Sequence, residues 1–222
     1  EFIIADKNAS NALIEAAERL GIRLFYLNSD VPKNRLSIKS LPTSSACSLD
    51  QNKDEDFCLI LHTSGTTSRP KQVQLSCTNV ISSALNIAHV LKLKKADIGL
   101  NIMPLFHIHG LIASLLSSVV TGSSLVCTSG FNALSFYANI NTFKPTWITA
   151  VPTMYQAILS RASRNKEIIK AANLRLLRSS SAAMPVATIE TLEHVFQCPV
   201  IEAYGMTEAS HQMASNFLDS IR

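Results

Sequence analysis

Residues 59–76 read LILHTSGTTSRPKQVQLS, and the character of this stretch changes twice. It begins as an apolar run, which is typical of a buried strand, and residues 57–62 are predicted to form that strand. It ends in residues 72–76, whose alternating apolar and polar side chains predict a second, short strand. The residues between the two strands are mostly serine and threonine, followed by Pro70 and Lys71.

The loop between these strands carries the groups that an anion needs. Its hydroxyls come from Thr63, Ser64, Thr66 and Thr67. Gly65 allows a sharp turn and a close backbone approach to a ligand, and successive backbone N–H groups in such a turn form an anion-binding concavity. Arg69 and Lys71 add positive charge, so the loop suits a polyphosphate. It is not a Walker motif, because no second glycine precedes the lysine and a strand follows it. A simple Ser/Thr-rich turn remains the alternative.

Strand-like and helix-like segments alternate on both sides of this loop, and residues 28–56 form a polar surface connection. The predicted helices are 10–21, 77–91, 110–120, 132–143, 153–161 and 185–196. The further predicted strands are 22–27, 98–104, 124–129, 146–152, 174–179 and 200–206, the last of the chain. This alternation predicts an α/β fold with largely parallel sheets flanked by helices. Ligands in such folds bind beyond the carboxyl ends of strands, where we expect the polar clusters 63–71, 104–110 and 204–211 to lie.

Two predicted helices show a clear apolar face. In the helix over 77–91, Ser76 is the predicted cap, and the inner face comprises Val80, Ala84, Ile87 and Leu91. In the helix over 185–196, Pro185 lies in the first turn, and the inner face comprises Val186, Ile189, Leu192 and Val195. The first helix of the chain is expected to begin after Ser10 and stop at Gly21, with an inner stripe of Leu13, Ala17 and Leu20.

Composition excludes several classes of protein. The chain has 222 residues, a net charge of +4 and scattered basic residues, which argue against a nucleic-acid-binding face. Five widely spaced cysteines without a CxxC pair suggest neither a disulfide framework nor a zinc site, and favour a reducing compartment. No signal peptide is visible, and the apolar stretch 110–127 is too short and too interrupted to span a membrane. The chain does not begin with Met, so we expect it to be part of a longer protein.

Three motifs in order give the sequence a family resemblance. HTSGTTSRPK (62–71), MPLFHIHG (103–110) and EAYGMTE (202–208), with the weaker SSAAMP (180–185), resemble the signatures of the acyl-adenylate-forming, AMP-binding superfamily. That superfamily includes acyl-CoA synthetases. The likeness covers residues 57–216 and implies that 1–222 is part of the large N-terminal adenylation domain. Ser68 and Gln72 stand where the family commonly has glycine, so the phosphate loop is expected to be stiffer here. Ser181, in the SSAAMP stretch, also replaces a glycine that is common in the family.

The resemblance implies chemistry with ATP, Mg²⁺ and coenzyme A. A carboxylate attacks the α-phosphate, giving an acyl adenylate and pyrophosphate, and the thiol of coenzyme A then takes the acyl group. Thr207 is implied to contact the α-phosphate, Glu208 to bind Mg²⁺ and Tyr204 to stack near adenine. The β- and γ-phosphates are implied to bind Thr63, Ser64, Gly65, Thr66, Thr67, Ser68 and Lys71. The rest of the nucleotide site is implied to comprise Ser181, Ala182, Ala183, Glu202 and Ala203.

The acid is expected to be small and doubly charged. Polar residues crowd the expected acyl pocket, and such groups suit a dicarboxylate better than an acyl tail. PLFHIHGL (104–111), TWITAVPTMYQ (146–156) and EAYGMTEASHQMASN (202–216), taken with HTSGTTSRPK, resemble the oxalate–CoA ligase branch. This closer resemblance implies contacts from His107, from Ser180 or Ser181, and from His211. His109 is expected to be a packed residue, and metal binding by His107 and His109 lacks a third ligand. A medium-chain fatty acid or a 4-coumarate-type acid is the alternative substrate.

The resemblance also implies parts that these residues do not contain. The family continues with an aspartate for the ribose, an arginine, and a small mobile C-terminal domain that carries a lysine. We therefore expect the 222 residues alone to bind nucleotide weakly and not to turn over. A truncated, non-catalytic nucleotide-binding module is the alternative from another class. The expected partners are small molecules, not nucleic acid or a membrane, in the cytoplasm or a peroxisome, and the oligomeric state is not predicted.

Overall fold

The computed structural model describes residues 2–5, 9–26, 56–63 and 70–218, and it divides the chain into two units, residues 1–51 and 52–222. In the first unit, β1 (Phe2–Ala5) pairs in parallel with β2 (Arg23–Tyr26). Helix α1 (Asn11–Arg19) joins them, and the Ser10 hydroxyl accepts a hydrogen bond from the Leu13 N–H. Ala17 is buried as predicted, but Leu20 is 64% exposed because it caps the helix end instead of continuing its inner stripe. The predicted connection 28–56 lies outside the described residues, except for Asp56.

The second unit begins with an antiparallel hairpin of β3 (Phe57–Thr63) and β4 (Lys71–Ser76). Lys71 lies opposite Thr63, so the predicted phosphate loop connects the two strands of the hairpin. It therefore does not follow the carboxyl end of a parallel strand, as we had expected. The prediction that β3 is buried was also wrong, since Phe57 and Ile60 are exposed. A two-stranded ribbon leaves part of its surface uncovered, which an apolar run in the sequence does not reveal.

The centre of this unit is a six-stranded sheet in the order β10-β9-β8-β7-β5-β6. Its strands are β5 (Ile98–Asn101), β6 (Ser124–Cys127), β7 (Trp147–Ala150), β8 (Leu176–Ser179), β9 (Val200–Met206) and β10 (His211–Ser215). All neighbours pair in parallel except β9 and β10. The predicted α/β fold with a mostly parallel sheet is confirmed. β9 is not the last strand, because Ser210 and His211 take positive φ values of 54° and 87° and reverse the chain into β10.

Helices cover both faces of the sheet. They are α2 (Cys77–Val90), α3 (a π-helix over His109–Leu116 continued by an α-helix over Ser117–Val120), α4 (Phe136–Phe143), α5 (Pro152–Leu159), α6 (Lys166–Lys170) and α7 (Val186–Phe196). Successive strand residues enter different apolar clusters, since Leu176 packs with α2 and α3, and Leu177 packs with α4, α5 and α7. Within the described ranges, no helix is both long and apolar enough to cross a bilayer.

The sequence predicted α2 better than α7. All four residues of the predicted inner face of α2 are buried, and Ser76 caps the helix in a reciprocal box with Asn79. In α7, Ile189 and Leu192 are buried as predicted, but Val186 is 68% exposed. The reason is that Pro185 is the cap of α7 and not part of its first turn, so Val186 begins the helix at the edge of the packed surface.

Candidate active site

A cleft of about 510 Å³ lies at the carboxyl edge of the sheet, beside the ends of β8 and β9. It is lined by Ser181, Ala182, Ala183, Glu202, Ala203, Tyr204, Gly205, Ala214, Ser215 and Asn216. Three predicted nucleotide residues come from the turn after β8, and three come from β9. The structure thus brings together the residues that the sequence assigned to the adenine end of a nucleotide.

The walls of this cleft are fixed by backbone geometry. A Cβ atom on Gly205 would lie 1.4 Å from the carbonyl oxygen of His211, so β10 can approach β9 this closely only at a glycine. On the other wall, a carboxylate oxygen of Glu202 accepts a hydrogen bond from the Met184 N–H at 3.3 Å. Ser181 adopts φ 74° in the same turn, which is the conformation that favours glycine.

The Thr207–Ala209 segment forms a 3₁₀ turn between β9 and β10, and this turn packs against β4. Glu208 is exposed, and Thr207 is half-buried. Glu208 lines a depression of about 310 Å³ with polar side chains of β4 and α2 that include Gln74, Asn79 and Ser82. Lys71 is exposed at the start of the same β4 strand. Thr63 is described, whereas Ser64, Gly65, Thr66, Thr67 and Ser68 lie outside the described residues.

His107 and His109 have opposite environments although they are two residues apart. His107 is exposed beside the Phe106 ring, with 4.6 Å between the ring centroids. His109 is only 2% exposed, which confirms its prediction as a packed residue. The described residues contain no cluster of three His, Cys, Asp or Glu side chains that could hold a metal ion.

Arg178 lies at the centre of a buried polar cluster that sequence reasoning missed. One terminal nitrogen of its guanidinium donates to Thr149 Oγ1 at 3.2 Å and lies 3.5 Å from His109 Nε2. The other terminal nitrogen lies 3.2 Å from His211 Nε2 and donates to Gln212 Oε1 at 2.9 Å. The His109 and His211 rings stack with 4.9 Å between their centroids. Nothing in the sequence of the predicted strand 174–179 indicated that the charge of Arg178 would be buried.

This cluster fixes the protonation of both histidines. Burial and, next, the positive charge of Arg178 lower the pKa of His109 well below its ordinary value. The same two causes lower the pKa of His211 to about 3, so both rings are neutral at pH 7. Since both Nε2 atoms face the guanidinium donors, both rings carry their proton on Nδ1. His109 Nδ1 therefore donates to Ser181 Oγ, 3.0 Å away.

The residues predicted to contact the acid differ in their access to the cleft. Ser180 is buried, and its hydroxyl donates to the Ala203 carbonyl oxygen at 2.9 Å. Ser181 is exposed and lines the cleft, so it is the serine of the pair that a ligand there can reach. His211 is 3% exposed and stacks against the ring of His109, so it is not accessible to a ligand in the cleft.

A larger cleft of about 710 Å³ lies between α6 and α7. Lys166, Lys170 and His194 are among its lining residues, together with the apolar side chains of Ile169 and Phe196. None of the motif residues lines it. We therefore place the candidate site in the smaller cleft, where residues from two separate motifs converge.

Comparison with known proteins assigns this fold and site to a class. The model of the AMP-binding enzyme family matches residues 1–221, and the chain belongs to that family. An oxalate–CoA ligase of Arabidopsis thaliana is 45% identical over 167 residues, which cover 74% of this chain and 32% of that protein. An oxalate–CoA ligase of Saccharomyces cerevisiae is 45% identical over 166 residues, which cover 75% of this chain and 30% of that protein.

Solved structures share the fold. The ternary product complex of a malonyl-CoA ligase, with methylmalonyl-CoA and AMP bound, aligns with a TM-score of 0.77 and 27% identity. The alignment covers 99% of this chain and 44% of that chain. The chain spans about a third of the length of the curated oxalate–CoA ligases that it matches.

Proposed function

We propose that this chain is the adenylation part of an AMP-forming acid–CoA ligase whose acid is a small dicarboxylate, with oxalate the best candidate. The observation that carries the proposal is the 510 Å³ cleft, which gathers residues of the SSAAMP and EAYGMTE motifs. Membership of the AMP-binding enzyme family and the relatives named as oxalate–CoA ligases support the same reading. The bound AMP and acyl-CoA of the structurally similar ligase support ATP and coenzyme A as co-substrates.

Each part of the proposed site has a physical role in the first half-reaction. The cleft positions adenine between Tyr204 and the turn 181–183, and Thr207 positions the α-phosphate at the end of β9. Lys71 and the hydroxyl loop from Thr63 to Ser68 hold the β- and γ-phosphates. An oxygen of the acid carboxylate then attacks the α-phosphorus, and pyrophosphate leaves with the electron pair of the broken P–O bond. Positioning and charge neutralisation suffice for this step, so no protein nucleophile is needed.

Glu208 fits a role in holding Mg²⁺. It is an exposed carboxylate in a polar depression next to the strand that Lys71 begins. Mg²⁺ commonly binds one or two protein carboxylates and completes its octahedron with phosphate oxygens and waters, so one glutamate is sufficient. The metal supplies charge neutralisation for the departing pyrophosphate. Glu208 would be the protein carboxylate that holds it.

The polar environment of the acid pocket supports a dicarboxylate. Ser181 lines the cleft and His107 is exposed, so an apolar acyl tail beside either would leave its hydrogen-bonding groups without partners, whereas His211 is already buried against Arg178. Oxalate instead presents oxygen acceptors at both ends. A medium-chain acid or a coumarate remains the alternative substrate and requires an apolar tunnel or a flat slot.

The test is thioester formation by the complete enzyme that contains these residues. ATP, Mg²⁺ and coenzyme A are supplied with oxalate, octanoate or 4-coumarate, and the CoA thioesters are quantified by mass spectrometry. We expect oxalyl-CoA to form with the highest kcat/KM. A higher kcat/KM for 4-coumarate or octanoate would overturn the proposed substrate and leave the proposed reaction type intact.

A further inference from the structure

The Arg178 guanidinium is a buried positive charge, and no carboxylate among the described residues is hydrogen-bonded to it. The residue is 0% exposed. In the part of the chain that the structure describes, its hydrogen-bond partners are Thr149, His109, His211 and Gln212, all neutral at pH 7. Its Nε atom is buried with no hydrogen-bond partner there. Burial lowers the pKa of Arg178 to about 10, so the charge nevertheless persists at pH 7.

Arg175, in the same segment, shows what a structural arginine looks like in this fold. Its guanidinium donates to both carboxylate oxygens of Asp97, at 3.1 and 2.9 Å, and to the Leu91 carbonyl oxygen at 3.0 Å. A buried charge is normally paired in this way, because removing an ion from water has a large free-energy cost. Arg178 lies three residues further along, at the end of the strand where the cleft opens, and its hydrogen-bond partners in the described ranges include no carboxylate that would offset this cost.

A continuous set of hydrogen bonds connects Arg178 to the cleft. The guanidinium donates to Thr149 Oγ1, and Thr149 Oγ1 lies 2.6 Å from His109 Nε2. Because His109 Nε2 accepts, its Nδ1–H donates to the exposed Ser181, which lines the cleft. The Ser181 hydroxyl hydrogen is thereby left free to point toward a bound acceptor. On the other side of the guanidinium, His211 is held in the same tautomer.

We propose that Arg178 sets the preference of this site for an acid with a second negative charge, acting as a positioning residue through His109, Ser181 and His211. The anion that offsets the buried guanidinium is the far carboxylate of the substrate, the one that does not react. The second carboxylate binds Ser181 and experiences the positive charge through a dry protein interior, where electrostatic attraction is weakly screened. This inference rests on the proposed function, and it adds two residues, Arg178 and His109, that the sequence motifs did not assign to the acid.

The experiment uses the complete enzyme with Arg178→Met, which removes the charge at similar volume, and Arg178→Lys, which keeps the charge but loses the planar fork. Arg175→Met is the matched control, because it also removes a guanidinium from the same segment. For each variant, KM is measured separately for oxalate and for ATP, and kcat/KM for oxalate is compared with that for the monoanion acetate. The thermal unfolding midpoint is recorded alongside.

We expect Arg178→Met to raise the KM for oxalate by about tenfold or more, with the KM for ATP within about twofold of wild type. Its kcat/KM for oxalate relative to acetate should fall by a similar factor. Arg178→Lys should show a smaller rise in the KM for oxalate, because an ammonium cannot hold both histidines at once. Arg175→Met should lower the thermal unfolding midpoint. It should leave unchanged both the KM for oxalate relative to the KM for ATP and the kcat/KM for oxalate relative to acetate.

The inference is overturned if the KM values for oxalate and ATP rise together in Arg178→Met, since that is the signature of general structural damage. It is also overturned if kcat/KM for oxalate relative to acetate is the same in Arg178→Met as in the wild-type enzyme. If Arg178→Met does not fold, Arg178→Gln takes its place because it also removes the charge, and an unaltered KM for oxalate in that variant decides against the inference. Failure of the proposed function looks different, because the wild-type enzyme itself would then form no oxalyl-CoA or would show a higher kcat/KM for octanoate or 4-coumarate than for oxalate.

Discussion

Gly205 shows how one residue controls the candidate nucleotide cleft. Its position is set by the close approach of β10, whose His211 carbonyl oxygen occupies the space that a Cβ atom would need. Any side chain there must displace β10 from β9, and β9 supplies Glu202, Ala203 and Tyr204 to the cleft. The glycine is therefore required by packing between two strands and not by a turn.

We predict that Gly205→Ala lowers the free energy of unfolding by about 2–4 kcal/mol, because backbone must move to admit the methyl group. Gly122→Ala is the control, since Gly122 has φ 65° but no other atom lies within 4 Å of the position that its Cβ atom would take. That substitution should cost only about 1 kcal/mol. Urea unfolding followed by circular dichroism measures both, and equal effects of the two substitutions would contradict the steric argument.

The buried histidines predict a stability that depends on pH. In the unfolded chain His211 regains its ordinary pKa of 6.5, whereas in the folded chain burial and Arg178 lower its pKa to about 3. Between these values the unfolded state binds more protons, so folding stability falls as pH falls below about 6.5. Between pH 6.5 and 5 the loss from His211 is about 2 kcal/mol, and His109 adds a loss in the same direction.

We predict that His211→Gln, which keeps an acceptor for Arg178, reduces this acid sensitivity. The urea midpoint is compared at pH 7.5 and pH 5, where Asp97, whose pKa lies below its ordinary value of 3.8, stays ionised and does not contribute. The variant should lose about 2 kcal/mol less than wild type over this interval. An identical loss in both proteins would mean that His211 is not neutral in the folded state.

At the scale of elements, the connection between β4 and α2 stabilises the β3–β4 hairpin that carries the predicted phosphate loop. Ser76 ends β4 and caps α2, and its hydroxyl accepts a hydrogen bond from the Asn79 N–H at 3.2 Å. The Asn79 side chain accepts one in return from the Ser76 N–H at 3.1 Å. Further along α2, the Ser83 hydroxyl donates to the Ser210 carbonyl oxygen. Helix α2 therefore connects the strand that begins at Lys71 to the turn that carries Glu208.

We predict that Ser76→Ala costs about 1 kcal/mol in the free energy of unfolding, because two backbone N–H groups lose their capping geometry. Ser82→Ala, an exposed change in the middle of the same helix, should be neutral or slightly stabilising. Chemical denaturation of the two variants in parallel gives the comparison. A cost below about 0.3 kcal/mol for Ser76→Ala would show that the capping box contributes nothing there.

The periodicity of apolar side chains, and the residues that typically begin or end helices and turns, predicted most of the helices and strands. The apolar stripe of α2 and the short alternating strand β4 follow directly from side-chain spacing, and the parallel sheet follows from the alternation of elements. The pairing of β3 could not be predicted, because an apolar run does not say whether its neighbour is a hairpin partner or a parallel strand. β10 was missed because HQMAS has no strand-like alternation, and its direction depends on positive φ at Ser210 and His211.

The candidate site was predictable where a motif is local and unpredictable where a contact is distant. The residues of 181–183 and 202–204 were assigned from contiguous motifs, and they share one cleft. Arg178, Thr149 and His109 lie on β8, β7 and α3, and only the order of strands in the sheet brings them together. A single sequence contains no record of that order. The separate access of Ser180 and Ser181 likewise depends on the positive φ of Ser181.

At the scale of the whole molecule, the chain matches relatives that are about three times as long. The cleft is bounded by the turn after β8 and by β9 and β10, and in the proposed function these form one wall of a nucleotide site. We predict that the 222 residues alone bind ATP·Mg²⁺ weakly and release no pyrophosphate when supplied with acid and coenzyme A. Calorimetry measures the binding, and a pyrophosphate assay measures the turnover. Sustained pyrophosphate release by this polypeptide would contradict the prediction, while binding without turnover in the complete enzyme would favour a non-catalytic nucleotide-binding module.

The central claim is that one cleft at the carboxyl edge of the sheet holds the adenylate. The most direct measurement is a crystal structure of the complete enzyme bound to a non-hydrolysable oxalyl-adenylate analogue. We predict adenine between Tyr204 and residues 181–183, the phosphate beside Thr207, and the free carboxylate within hydrogen-bonding distance of Ser181. Adenine bound outside this cleft, for example between α6 and α7, would contradict the account.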